Sequence, residues 1–324
     1  VDLMSTRHPD HASEAPSFEG ERDFVARALA RFPITRPSAT PVADSFNTVY
    51  RVNAFEGDFM LRVNRSPAVH HPNAPYAEEA WTAHFSRAGL DVPRLLRTQE
   101  GDIRVTERGP EPSFAMLLTW VPGTPPTHPV SHGQIVAMGE LSARLHRAAP
   151  ATAKRPDGVL DGRRPTLFEV PDLTAAAPSP YREVLARRTA QAREWICDLW
   201  EHADEEPRVL HFDLTPRNVV FGSDDGAPAA IDFQDLAWGH RAQDVANTLY
   251  GMMRGGWNRQ VLAGFRRGYE RHCQWPEHLD DLRQLRRLFV ARRIAMVNLA
   301  LTLRRPGLDA YLRRHADALT HAVV

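Results

Sequence analysis

Apolar side chains first recur at helical spacing between positions 18 and 32, where Phe24, Val25, Ala28, Leu29 and Phe32 form one stripe that Pro33 stops. The period then drops to two. Positions 48–55 and 59–63 are β-rich runs joined by Glu56-Gly57-Asp58, which predicts a hairpin. In its second strand Phe59, Leu61 and Val63 share one face, and Met60, Arg62 and Asn64 the other. A helix over 75–88 follows, then short strands near 94–97 and 103–106 and a longer apolar strand over 114–121, ended by Pro122-Gly123. Beyond Pro129 the helical period dominates, at 134–147, 181–202, 243–253, 259–272, 279–303 and 308–322. Short strands at 208–210, 218–221 and 229–233 interrupt it.

This alternation predicts an α+β, bilobal chain: an N-terminal lobe over 17–121 with a small antiparallel sheet and one key helix, and a mostly helical C-terminal lobe over 122–324. Residues 1–16, polar and interrupted by His8-Pro9 and Ala15-Pro16, read as a weakly ordered arm outside the fold. The Pro-rich stretches 122–129 and 165–180 read as connectors, and there is no internal repeat.

Composition narrows the class. The 324 residues, 43% hydrophobic and 25% charged, suffice for a large core or for two lobes. Lys+Arg and Asp+Glu are balanced at 40 each, so there is no net basic field of the kind that drives association with nucleic acid or a membrane. Cys197 and Cys273 are too few for a disulfide framework, and no stretch approaches the roughly 18 apolar residues of a membrane span; a cytoplasmic protein is expected. The histidines, His70-His71 included, lack partners at metal-ligand spacing, and no G-x-S-x-G elbow supports a serine hydrolase.

The chemistry concentrates in His211-Phe212-Asp213-Leu214-Thr215-Pro216-Arg217-Asn218, between two apolar strands, and in Ile231-Asp232-Phe233 after a turn at Asp224-Asp225-Gly226. Phosphoryl transfer from a nucleotide needs a carboxylate at the attacking hydroxyl and oxygen ligands that hold Mg²⁺ on the phosphates. Asp213, Asn218 and Asp232 are that set of groups. The arrangement resembles the H-G-D-x-x-x-x-N loop and following I-D-F/W segment of the aminoglycoside-phosphotransferase and choline-kinase-like families, which share the protein-kinase-like fold.

The resemblance implies Asp213 as catalytic base, His211 as the residue fixing loop geometry, and Asn218 and Asp232 as Mg²⁺ ligands. Phe212 replaces the family's frequent glycine, and Asp244 matches a structural carboxylate that ties down the loop. His146 matches a packing histidine. In the first lobe, Arg62 stands where the family places its phosphate-binding lysine, with Glu78 as its brace. Ser45 and Asn47 lie in the glycine-free turn that would meet phosphate, where a plain β-turn is the competing reading. Leu118, Thr119, Trp120 and Val121 lie on the strand that would meet the purine.

The implied activity is transfer of the γ-phosphoryl group of ATP or GTP, with Mg²⁺, to a hydroxyl of a small molecule: an antibiotic, sugar, nucleoside-type compound or hydroxylated amino acid. Asp235, Trp238, Tyr250 and Trp257 are candidate acceptor contacts. A protein Ser/Thr kinase of the same fold and a non-catalytic nucleotide-binding module are the alternatives.

Overall fold

A computed structural model describes residues 18–44, 47–64, 69–107, 113–222, 227–253, 256–304 and 306–322. The 1–16 arm, Ser45 and the Asp224-Asp225-Gly226 turn lie outside the described residues. The chain divides into two units, Val1–Pro67 with Pro93–Trp120, and Ala68–Val92 with Val121–Val324.

The first unit holds α1 (Phe18–Leu29), β1 (Ser38–Asp44), β2 (Asn47–Ala54), β3 (Gly57–Asn64), β4 (Leu95–Leu96), β5 (Val105–Glu107) and β6 (Ser113–Thr119). The strands form one antiparallel sheet in the order β1-β2-β3-β6-β4, with β5 also paired to β6. The predicted hairpin is β2–β3, with Tyr50 opposite Leu61 and Val49 opposite Arg62. Phe24, Val25, Ala28, Leu29 and Phe32 pack on Tyr50, Val52, Phe59, Leu61, Val63, Ala115 and Leu117. Each large side chain so buried contributes about 1.5–3 kcal/mol. β1 was not anticipated, since Pro41 breaks the short run that forms it. The proline is tolerated because β1 is an edge strand whose register shifts between Pro41 and Ala43.

The second unit contains α2 (Ala74–Arg87), α3 (His132–Ala148), β7 (Leu160–Asp161), α4 (Arg182–His202), β8 (Arg208–Leu210), β9 (Val219–Val220), β10 (Ala229–Ala230), β11 (Ala237–Gly239), α5 (Arg241–Met252), α6 (Arg259–Tyr269), α7 (Leu282–Leu303) and α8 (Leu308–Thr320). Here α2, expected with the first lobe, is counted with the second unit, because Ala77 and Phe85 share a core with Leu214 and Phe233. The Phe85 and Phe233 rings lie 5.7 Å apart. Two- and three-residue strands form the sheet β7-β11-β8 and the hairpin β9–β10. No helix among the described residues is long and apolar enough to cross a membrane.

Helix α3 starts at a capping box: the Ser131 hydroxyl accepts from the Gln134 amide, and the Gln134 side chain accepts from the Ser131 amide. It then meets α6 backbone to backbone. A Cβ on Gly268 would lie 1.9 Å from the Val136 carbonyl oxygen, and one on Gly139 2.1 Å from that of Phe265. Gly268→Ala is therefore expected to lower stability by about 1–3 kcal/mol or more, because two helix backbones must separate. Gly133→Ala, in open space on the first turn of α3, should be neutral or stabilising by up to about 1 kcal/mol. Urea midpoints of the two variants check the pair.

Candidate active site

Strand β8 delivers the chain into the loop at His211, and the 3₁₀ turn Pro216–Asn218 hands it to β9. In the β9–β10 hairpin Val219 pairs with Ala230, and the Ile231 amide donates to the Asn218 carbonyl at 2.9 Å. The open end of this hairpin thus holds Asn218 and Ile231 side by side, with Asp232 next in the chain. Asn218 Nδ2 donates to the Asp213 carbonyl and to Asp213 Oδ2, both at 2.8 Å, which leaves Oδ1 as the acceptor end of its amide. Asp213 Oδ1 accepts from Arg292 Nη2 of α7 at 2.5 Å. Sequence reasoning missed Arg292, whose side chain is only 5% exposed.

A buried scaffold sets the loop's shape. Phe212 adopts φ +62°, the left-handed region that costs a non-glycine residue about 1–2 kcal/mol and explains the family's glycine there. The Phe212 ring lies against Gly162 and Gly239, where an added Cβ would come within 3.2 and 2.9 Å of it. The Phe212 amide donates to Asp244 Oδ1 at 2.6 Å, and its carbonyl accepts from Asn247 Nδ2 at 3.2 Å. Asp244 Oδ2 lies 2.6 Å from His146 Nε2, and His146 Nδ1 2.8 Å from the Tyr269 hydroxyl. The expected structural roles of Asp244 and His146 thus take the form of one buried chain of hydrogen bonds from α3 and α6 through α5 to the loop.

His211 ties the two halves of the motif together: Nε2 donates to the Ile231 carbonyl at 3.0 Å and Nδ1 accepts from the Asp213 amide at 3.3 Å. One donor and one acceptor define a neutral ring, and burial pushes its pKa below the ordinary value. Burial also lowers the pKa of His240, against Trp200. Unfolded, both would titrate near about 6.5. Below that pH the unfolded chain binds more protons than the folded one, so stability is full above about pH 6.5 and falls as pH drops through it. A thermal midpoint that decreases from about pH 7.5 to about pH 5.5 is expected; an unchanged midpoint contradicts it.

The candidate acceptor contacts divide. Asp235 is buried and its carboxylate meets His70 at 2.7 Å; burial opposes its charge, but the His70 hydrogen bond and the His70 and Arg292 charges keep its pKa below the usual value. His70, which the sequence offered only as an isolated metal-ligand candidate to be set aside, finds its hydrogen-bond partner 165 positions away. Trp238 is buried in β11, and its indole N–H donates to the Thr152 carbonyl at 2.9 Å. Tyr250 and Trp257 form a separate group on α5 and before α6: both pack against Phe289, with Arg293 over Tyr250 and Arg286 over Trp257.

Within the first unit, Arg62 is buried on β3 on the face opposite Phe59, Leu61 and Val63, and Asn47 opens β2. Leu118 is buried in β6. The amides of Thr119 and Trp120 already donate to the Arg94 and Asp58 carbonyls, and the Trp120 indole lies under the Arg51 guanidinium. Val121 and Glu78, on α2, are buried parts of the second unit.

A shallow recess, open to solvent, adjoins the loop within the second unit. Arg164, Phe212, Gln243, Asn247, Leu288 and Arg292 are among its lining residues. Gln243 Nε2 donates to the Gly162 carbonyl at 2.7 Å, which fixes one wall.

The fold and the loop define a kinase. Residues 38–288 match the model of the phosphotransferase enzyme family (APH), and the chain belongs to that family. Its structure is similar to an amicoumacin kinase in complex with AMP-PNP, Ca²⁺ and Ami (18% identity, 92% of this chain and 93% of that chain, TM-score 0.73). It is also similar to a microcompartment-associated aminopropanol kinase (17%, 92% and 94%, TM-score 0.68). A thermostable mutant of an aminoglycoside phosphotransferase, in ternary complex with ADP and hygromycin B, is a more distant likeness (17%, 93% and 98%, TM-score 0.56). At these identities the likeness is one of fold. A search of curated proteins finds no match.

Proposed function

We propose that this kinase transfers the γ-phosphoryl group of ATP or GTP to a hydroxyl of a small molecule, with Asp213 as the base. The observation that carries the reading is the Asp213–Asn218 pair on a loop fixed from both sides, by Asp244 at the Phe212 amide and by His211 at the Ile231 carbonyl. The reading is supported by structural relatives that hold AMP-PNP with Ami and ADP with hygromycin B.

In the reaction the acceptor oxygen forms a bond to the γ-phosphorus, the bond from that phosphorus to the β–γ bridging oxygen breaks, and the nucleoside diphosphate leaves. Asp213 receives the hydroxyl proton. Asn218 and Asp232 offer the neutral and charged oxygens that suit Mg²⁺, an ion that keeps waters and substrate phosphates as its other ligands. Bound there, Mg²⁺ would neutralise phosphate charge. Arg62 is assigned to phosphate charge with Glu78 as its brace, Ser45 and Asn47 to phosphate oxygens, and Leu118 to Val121 to the purine.

Transfer of label from γ-³²P-ATP to a small-molecule fraction tests the reading. Asp232→Asn should raise the Mg²⁺ concentration for half-maximal rate about tenfold or more while the fold is retained, because a charged ligand becomes neutral. An unchanged Mg²⁺ dependence removes Asp232 from the metal site.

A further inference from the structure

We propose that the acceptor carries an anionic group, a carboxylate by preference, and that Arg292 binds it beside Asp213. The inference rests on the reading of Asp213 as the base and adds the class of acceptor. Arg292 interrupts an apolar stripe of α7 in which Leu285, Leu288, Ala295 and Leu299 are buried or line the recess. A guanidinium is rarely placed there without a task.

Only part of its hydrogen-bonding capacity is used. Nη2 donates to Asp213 Oδ1 at 2.5 Å, whereas Nη1 is buried with no hydrogen-bond partner among the described residues. Arg292 lines the recess. The planar fork therefore gives one arm to the base and keeps a second arm that is desolvated and without a partner among the described residues, and a carboxylate oxygen is the acceptor that matches a buried cationic N–H.

The remaining walls agree with this choice. Among the described residues the lining includes Arg164 but no carboxylate, with Gln243 and Asn247 as neutral polar groups and Leu167, Ile196, Phe212 and Leu288 as apolar surface. Arg164 is partly satisfied by Glu169 at 2.7 Å, so Arg292 carries the recognition. A polycationic amino sugar would bring its ammonium groups against two guanidinium groups, with no carboxylate among the described lining residues and Asp213 already engaged by Arg292. A compact hydroxy acid places its hydroxyl at Asp213 and its carboxylate at Nη1. Arg292 between the two anions then removes their repulsion.

The test uses hydroxy carboxylic acids, each with its primary amide, and one cationic amino sugar. Binding to the full chain is read by ligand-observed NMR, and phosphorylation by nucleotide turnover. The wild-type protein should bind at least one acid about tenfold more tightly than its amide, and Arg292→Gln should reduce that preference to about one. If no acid is preferred over its amide, if the amino sugar is the phosphorylated compound, or if Arg292→Gln lowers acid and amide equally, the proposal is overturned. The wild-type preference decides the matter even if the variant does not fold. Failure of the phosphotransfer reading is separate: it appears as turnover unchanged in Asp213→Asn, whatever the acid-to-amide ratio.

Discussion

Replacing Asp213 by asparagine is expected to lower kcat about 10²–10⁴-fold with little change in the KM for nucleotide, because the group that receives the hydroxyl proton is lost while the walls of the site remain. The structure adds a second cause. Asp213 accepts from Asn218 at one oxygen and from Arg292 at the other. An amide at this position faces a donor with its own N–H₂ whichever way it is flipped, so one hydrogen bond breaks and the loop loses part of its orientation. Single-turnover measurements separate the loss of chemistry from any change in nucleotide binding. A variant within a factor of about three of wild type would exclude Asp213 as the base.

The largest expected loss of stability is at Asp244. Its side chain is 0% exposed, accepts from the Phe212 amide and pairs with His146, itself bonded to Tyr269. Asp244→Ala leaves an amide, an imidazole nitrogen and a cavity inside the core. A loss of about 3–5 kcal/mol is expected, well above the roughly 1 kcal/mol of an ordinary substitution. Asp244→Asn, which retains an acceptor for Phe212, should lose less. Urea denaturation of both variants, with wild type as reference, reads the effect. A loss below about 1 kcal/mol for Asp244→Ala would mean that Phe212 keeps its left-handed backbone without this carboxylate.

Much of this arrangement was legible in the sequence, and what escaped did so for physical reasons. Helices with long apolar stripes, such as the one ending at His202, and the hairpin around Gly57 emerged near their observed bounds because their periods run for many residues. β1 escaped because prolines hide an edge strand. β7 and β11 escaped because two or three residues carry no period. The membership of α2 could not be read from the chain, since Phe85 meets Phe233 only in space.

The candidate site shows the same division. His211, Asp213, Asn218, Asp232 and Asp244 were visible because they lie in one motif or just beyond it. Arg292 is one of five arginines on α7, and only its place at the i+4 position after Leu288 and before Ala295 distinguishes it. A charge inside a buried stripe was the available signal. The pairing of His70 with Asp235 left no signal in the sequence. Phe212 was marked there as a departure; the structure supplies the reason it is tolerated, in the space left by Gly162 and Gly239.

The central claim is that Asp213 acts on an acceptor hydroxyl in a phosphoryl transfer. Its most direct test is the rate at which label from γ-³²P-ATP enters an acceptor, compared between the wild-type protein and Asp213→Asn at equal nucleotide occupancy. The expected result is acceptor-dependent labelling by wild type and a loss of at least about 10²-fold in the variant. Equal labelling by the two proteins would contradict it.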